Sequence, residues 1–135
     1  MGQVTNSNAA NKGGIACWLN DSKVNNSWAT CDIFCSNPAS AVQSPGGIVS
    51  ISTAGGVVIS GCSYFGMLNV NKPAEANNCG GIIATAESDT KVVNCRYGGS
   101  VKGVAVSENN LSTYVVGNPS VDPEVSGTTL WNGKM

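Results

Sequence analysis

A glycine pair followed by isoleucine occurs three times in this 135-residue chain, at nearly equal intervals. The three copies are Gly13-Gly14-Ile15, Gly46-Gly47-Ile48 and Gly80-Gly81-Ile82, spaced 33 and then 34 residues apart. A unit of this length cannot close a hydrophobic core on its own, because it has too few apolar residues. The chain is therefore predicted to fold as a stack of equivalent layers.

The apolar runs inside each repeat indicate strands. They are four to six residues long, rich in valine and isoleucine, and bounded by glycine, serine, asparagine or aspartate. No window has the i, i+3, i+4, i+7 spacing of an amphipathic helix. Because equivalent residues about 33 apart must pair side by side in the same direction, we predict an all-β fold, a short right-handed parallel β-helix (solenoid) of about three coils.

The repeats divide the chain into five segments. These are a polar N-terminal segment at residues 1–12, three solenoid repeats at about 13–45, 46–79 and 80–110, and a strand-rich segment at 111–135. The last segment is expected to be either a C-terminal cap or the start of a further repeat. Thirty-three residues exceed what one coil needs, so longer corner loops are expected at residues 38–45 and 69–78.

Side chains at matching positions of successive coils should stack into internal ladders about 4.8 Å apart. The predicted ladders are Ile15, Ile48 and Ile82; Trp28, Ile59 and Val92; and Cys31, Cys62 and Cys95. A spacing of about 4.8 Å exceeds the Cβ separation of roughly 3.5–4.5 Å that a disulfide needs, so the cysteine ladder is expected to be reduced and buried. The sequence does not decide whether two of the other three cysteines, Cys17, Cys35 and Cys79, form a disulfide.

Five aromatic residues are candidates for the protein surface: Trp18, Tyr64, Tyr97, Tyr114 and Trp131. Tyr64 and Tyr97 each follow a repeat cysteine by two residues, so they should lie one above the other on one face. Stacked rings can bind the apolar face of a sugar, which makes these two tyrosines candidate ligand-binding residues. The alternative is that they pack over a corner of the coil with their hydroxyl groups in water.

The charge content argues against several partners. Only 11% of the residues are charged, the net charge is −1, and Arg96 is the single arginine. Such a chain cannot neutralise a run of phosphates, so nucleic-acid binding is disfavoured. No apolar stretch of about 18 residues is present, so membrane insertion is not expected. No signal peptide is recognisable either, and a secreted parent would need one outside this sequence.

Catalytic and metal-binding chemistry has little support. The chain has no histidine, the commonest general base and a frequent metal ligand. Cys31 and Cys35 are the only close cysteine pair, whereas a zinc site needs four ligands at paired short spacings. The acidic residues are scattered: Asp21, Asp32, Glu75, Glu87, Asp89, Glu108, Asp122 and Glu124. We therefore predict no catalytic residue, no metal and no cofactor, and keep a β-helix polysaccharide lyase or glycosidase as the less favoured alternative.

The second and third repeats resemble a known repeat family. Gly46-Gly47-Ile48-Val49 with Val58-Ile59-Ser60-Gly61-Cys62-Ser63-Tyr64, and Gly80-Gly81-Ile82-Ile83 with Val92-Val93-Asn94-Cys95-Arg96-Tyr97, resemble the GLUG-type repeats of bacterial surface adhesins and secreted proteins. The resemblance covers residues 13–103 and departs at Ser50 and Ala84, where that family usually has a third glycine. It implies a β-helical, extracellular, non-catalytic spacer or adhesive stalk.

The leading expectation is thus a structural or adhesive module at the cell surface or outside the cell. Such a module would present a rigid solenoid face to a host glycan or surface protein, or associate with neighbouring copies through the unpaired strands at its ends. The alternative is a carbohydrate-binding module that uses Tyr64 and Tyr97.

Overall fold

The fold is built almost entirely of short strands. The structure, a computed structural model, describes residues 2–6, 11–35, 42–71, 78–87, 89–118 and 123–134. The elements in chain order are β1 Gly2–Asn6, β2 Asn11–Gly13, β3 Ala16–Asn20, β4 Lys23–Asn25, β5 Trp28–Ala29, β6 Cys31–Cys35, β7 Ser44–Gly46, β8 Val49–Ala54, β9 Val57–Ser60, β10 Ser63–Val70, β11 Ile83–Ala86, β12 Thr90–Val93, β13 Arg96–Val101, β14 Val104–Ala105, α1 Leu111–Tyr114, β15 Val116–Asn118, β16 Glu124–Ser126 and β17 Thr129–Leu130.

Strands one repeat apart pair in parallel, which confirms the predicted β-solenoid of about three turns. One sheet has the order β3, β8, β11, β15, and a second has the order β4, β9, β12, β16. The long sheet has the order β1, β6, β10, β13, β14, with β5 on β10 and β17 on β13. A short ladder of β2 and β7 continues through a bridge from Gly46 to Gly80. The β13–β14 hairpin is antiparallel, whereas every other strand pairing in the described residues is parallel.

The isoleucines of the glycine–glycine–isoleucine motif lie in successive coils, as predicted. The Ile15 amide donates to the Ile48 carbonyl at 2.9 Å, and the Ile48 amide donates to the Ile82 carbonyl at 3.0 Å. The same contact continues from Ile82 to Val115 at 3.1 Å. Ile48 and Ile82 are fully buried, whereas Ile15 is 44% exposed, because the strand that follows it, β3, is an edge strand among the described strands.

The second predicted ladder is correct for two of its three members. Ile59 pairs with Val92, but the partner of Ile59 in the first coil is Val24 rather than Trp28. The register between the first and second coils shifts at an irregularity between Leu19 and Asn20, so the partner lies 33 residues ahead before the shift and 35 residues ahead at β4. Trp28 instead pairs with Ser63 and remains more than half exposed.

One corner of the coil alternates between asparagine and glycine from layer to layer. Asn26, Gly61, Asn94 and Gly127 all have positive φ, with values of 50°, 63°, 53° and 70°. Glycine and asparagine tolerate this left-handed conformation better than other residues. The Asn26 amide bonds to the Ser60 carbonyl at 2.9 Å, and the Asn94 amide bonds to the Ser126 carbonyl at the same distance, which places these corners directly over one another.

Additional strands lie on both sides of the three repeats. The polar segment at residues 1–12 contributes β1, which pairs with β6, and the beginning of β2. In the segment at residues 111–135, β15, β16 and β17 pair in parallel with β11, β12 and β13 and so continue the coil. The centres of the two predicted corner loops, residues 38–41 and 72–77, lie outside the described residues.

A single hydrophobic cluster runs through the stack. Its largest fully buried side chains include Tyr64, Tyr97, Ile33, Ile48 and Ile82. Two hydroxyl contacts lie inside the coil: the Ser52 and Thr90 hydroxyls are 2.8 Å apart, and the Ser50 hydroxyl donates to the Ser44 carbonyl at 2.6 Å. The buried Thr85 hydroxyl has no hydrogen-bond partner among the described residues. In the part of the chain that the structure describes, no helix has the length and apolarity needed to span a bilayer.

Candidate functional site

The two repeat tyrosines lie inside the coil. Tyr64 of β10 pairs with Tyr97 of β13, so the predicted stacking is correct. The expectation that they lie on an exposed face is wrong, because their exposed fractions are 1% and 0%. A Cβ added at Gly47 would lie 2.4 Å from the Tyr64 ring, and one added at Gly81 would lie 2.1 Å from the Tyr97 ring. The second glycine of each pair thus leaves room for a tyrosine ring in the interior.

The tyrosine hydroxyl groups are hydrogen-bonded to the backbone. Tyr64 donates to the Cys31 carbonyl at 2.7 Å, and Tyr97 donates to the Leu111 carbonyl. Burial raises the pKa of both phenols well above the ordinary value. These tyrosines therefore stabilise the core and cannot form a platform for a sugar, which removes Tyr64 and Tyr97 as ligand-binding residues.

Two of the three predicted ladder cysteines form a pair. Ser63 pairs with Arg96, which places Cys62 beside Cys95, and both thiols are buried. The Cys62 thiol donates to the Val24 carbonyl at 3.4 Å, and the Cys95 thiol donates to the Ile59 carbonyl at 3.4 Å. Each cysteine thus bonds to the coil before its own.

Cys31 does not belong to this ladder. The Ser63 amide donates to the Ser27 carbonyl at 2.9 Å, so Ser27 holds the position that Cys62 and Cys95 hold in later coils. Cys31 lies further along, in β6, where it pairs with Gly2 of β1. Cys31 precedes Cys62 by 31 residues, whereas strands β5 and β6 pair with β10 at a spacing of 35, so Cys31 lies four positions beyond the place of the ladder.

All six cysteines are free thiols in this structure, and they differ in accessibility. Cys17 is exposed, Cys31 is half-buried, and the other four are buried. Burial raises the pKa of Cys35 to about 11 and that of Cys79 to about 12. The Cys35 and Cys79 thiols are therefore protonated at neutral pH, and their thiolate forms, which react with oxidants and metals, are scarce. The pKa of Cys62 is instead lowered, chiefly by its side-chain hydrogen bond with Cys95.

A pocket on the outer side of the long sheet was not predicted from the sequence. It has a volume of about 490 Å³, and its lining includes Phe65, Arg96, Leu130, Trp131 and Lys134. Strand alternation explains why these side chains face outward: Phe65 follows the buried Tyr64, and Arg96 precedes the buried Tyr97. Two features of the sequence could have predicted this pocket: the single arginine and the alternation of buried and exposed positions along these strands.

An aromatic pair forms the base of this pocket. Phe65 pairs with Gly98, and a Cβ at Gly98 would lie 3.2 Å from the Phe65 ring and 2.0 Å from the Trp131 carbonyl oxygen. Because Gly98 has no side chain, the Phe65 and Trp131 rings contact each other edge to face, with their centroids 6.5 Å apart. Trp131, predicted to be exposed, is buried by this contact and by Arg96.

Arg96 is held in a fixed orientation above this base. Its guanidinium carbon lies 4.6 Å from the centroid of the Trp131 ring, and its Nε donates to the Ser63 hydroxyl at 2.7 Å. No acidic residue is among those lining the pocket, and the exposed Lys134 adds a second positive charge. The pocket is thus positively charged, with an apolar wall.

A second cavity, of about 600 Å³, opens at the C-terminal end of the stack. Leu111, Val115, Val116 and Val125 supply its apolar lining, and Glu108 and Thr128 supply polar groups. The Thr128 hydroxyl oxygen is buried and has no hydrogen-bond partner among the described residues. Leu111, Val115 and Val116 also belong to the hydrophobic cluster of the stack, so the cavity borders the core.

The described residues contain no group of three or more histidine, cysteine or acidic side chains that could hold a metal ion. Two of the acids make defined contacts: Asp32 accepts a hydrogen bond from the Met67 amide at 2.9 Å, and Glu124 lies 3.9 Å from Lys91. Glu75 and Asp122 lie outside the described residues.

Comparison with protein-family models, with curated proteins and with solved structures gives no match. The resemblance to GLUG-type repeats therefore stays a prediction, and functional inferences come from the geometry of the chain itself.

Proposed function

We propose that this chain is a non-catalytic structural or adhesive module of a bacterial cell-surface or secreted protein. The solenoid would act as a rigid support that presents a face to a host glycan or protein, or that docks onto neighbouring copies. The proposal of a rigid scaffold rests on the parallel pairing of strands in three sheets, which continues through successive coils. The bacterial and extracellular parts of the proposal come from the GLUG resemblance and from a surface dominated by neutral polar residues.

The observation that carries the docking proposal is the apolar character of the first coil. Trp18 and Trp28 are 62% and 53% exposed, and Ile15 lies in the same coil. Within the described strands, β3 and β4 of this coil are edge strands of their sheets. Edge strands with exposed apolar side chains favour pairing with another chain, since both unpaired backbone groups and apolar surface become covered.

The test is the mass of the protein in solution as a function of concentration. Size-exclusion chromatography with light scattering should show reversible self-association of the unmodified chain. A Trp18→Ser/Trp28→Ser variant should remain monomeric. Met67→Ser is the matched control, because Met67 is also about half exposed but lies on the side of the stack. A strictly monomeric protein at millimolar concentration would contradict docking through this coil.

A further inference from the structure

We infer that the pocket around Arg96 binds a carboxylated sugar, such as a uronic acid residue of an anionic glycan. The inference deepens the proposed adhesive role by naming the class of ligand and the residues that would bind it. It concerns the outer side of the long sheet, which is separate from the exposed tryptophans of the first coil.

The first argument is the state of the Arg96 guanidinium. Its Nε donates to the Ser63 hydroxyl, and its guanidinium carbon lies over the Trp131 ring. Among the described residues, neither terminal nitrogen has a hydrogen-bond partner and no carboxylate forms an ion pair with Arg96. A guanidinium that is already oriented loses less conformational entropy on binding and can bind a carboxylate through two parallel hydrogen bonds.

The second argument is the chemical composition of the lining. Lys134 adds a positive charge, Asn132 offers an amide, and Phe65 and Leu130 provide an apolar wall. An inorganic anion would use the charges but not the apolar wall. A neutral sugar would use the wall and the amide but leave the two cations without a partner. A uronic acid has a carboxylate, hydroxyl groups and an apolar ring face, and so it matches all three.

The third argument is size and access. A volume of about 490 Å³ lies within the usual range of small-molecule sites, about 300–1,000 Å³. The pocket is on the outer side of the sheet, and both Lys134 and Leu130 are exposed. A sugar within a polymer can therefore enter without any opening of the coil.

The test compares two tetrasaccharides that differ only at C6, which is a carboxylate in one and a neutral hydroxymethyl group in the other. A β-1,4-linked tetramer of glucuronic acid and the glucose tetramer of the same linkage are titrated into the full chain, with backbone amide NMR shifts as the readout. The glucuronate tetramer should shift the amides of Phe65, Arg96 and residues 130–134, and the glucose tetramer should bind about tenfold more weakly or not at all. Equal binding of the two tetramers, or full competition by equimolar inorganic phosphate, would overturn the inference.

Variants separate the pocket from general charge effects. Arg96→Gln should weaken glucuronate binding by about tenfold or more, and Lys134→Gln should weaken it by a smaller factor. Lys23→Gln is the control. Lys23 is exposed on β4, so this substitution removes one positive charge from another sheet. Lys134 is exposed, so its variant tests the site even if loss of Arg96 disturbs Trp131. Unchanged binding in both pocket variants would refute the site.

Failure of this inference and failure of docking have different signatures. If the protein does not bind glucuronate but still associates as its concentration rises, the ligand inference fails and the proposal of a structural module stands. A monomeric protein that binds glucuronate leaves an adhesive module without docking through its first coil.

Discussion

Tyr97 lies directly against Gly81, the second glycine of the third repeat. The three atoms nearest to a Cβ built at Gly81 all belong to the Tyr97 ring, at 2.1, 2.3 and 2.7 Å. The two residues are 16 positions apart in sequence and face each other across the interior of one coil. The glycine pair and the tyrosine of each repeat are therefore parts of one packing unit, and in the first coil Ala29 takes the place of the tyrosine.

Gly81→Ala should destabilise the protein by about 1–3 kcal/mol, because the added methyl group overpacks the Tyr97 ring. The cost should be smaller in a Tyr97→Leu background, where the ring is absent. Urea denaturation of the four proteins in a double-mutant cycle measures this coupling. Gly56→Ala is the control, since an added Cβ there meets no atom within 4 Å. Additive effects of Gly81→Ala and Tyr97→Leu would contradict the contact.

Gly61→Ala should be more destabilising than Gly103→Ala. Both glycines have positive φ, 63° and 81°, so both substitutions cost about 1–2 kcal/mol of backbone strain. At Gly61 the new Cβ would also lie 2.3 Å from the Asn26 side-chain oxygen, whereas at Gly103 it meets nothing within 4 Å. Thermal unfolding of the two variants reports the difference, and adding Asn26→Gly should recover part of the loss at Gly61.

Tyr64→Phe should reduce the free energy of unfolding by about 1–3 kcal/mol, because the partly buried Cys31 carbonyl loses the hydroxyl that bonds to it. Tyr114→Phe provides the comparison: Tyr114 is only partly buried, and its hydroxyl has no hydrogen bond to a described residue. Equal stability of the two variants in chemical denaturation would show that the Tyr64 hydroxyl contributes nothing.

The stability of the protein should fall as the pH rises above about 8.5, partly because of Cys79. An unfolded cysteine loses its proton near pH 8.5, whereas burial raises the pKa of Cys79 in the folded chain to about 12. Between these values the unfolded state binds fewer protons, so unfolding becomes easier by up to about 1.4 kcal/mol per pH unit. Unfolding free energies at pH 8 and pH 10 should show a smaller difference in Cys79→Ala. Cys17→Ala should reduce the difference less, because burial raises the pKa of this more exposed thiol to a smaller extent.

The coil alignment could be predicted because the glycine–glycine–isoleucine motif marks one position in each layer. Ile15, Ile48 and Ile82, the Ile59–Val92 contact and the Cys62–Cys95 contact all follow from that spacing. The first coil is misaligned at Trp28 and Cys31, because matching these residues to Ile59 and Cys62 requires a spacing of 31. The strands pair at 33 before the irregularity at Leu19 and Asn20 and at 35 after it.

The candidate site was harder to predict because its residues meet through the fold. Tyr64 was expected at the surface, since its partner Gly47 lies across the coil rather than nearby in sequence. The Phe65–Trp131 contact depends on the missing side chain of Gly98, which lies one coil from each of them. Both contacts join residues that are far apart in sequence, the first across one coil and the second between coils, so local sequence patterns do not reveal them.

The alternation of asparagine and glycine at one corner has a consequence for how such a chain can grow. The Asn26 and Asn94 side chains each occupy the space left by the glycine of the following layer, at Gly61 and Gly127. Excision or duplication of one layer would set two asparagines or two glycines in contact and break this pattern. A change of length that preserves the pattern therefore adds or removes two layers at a time, the interval from Gly61 to Gly127.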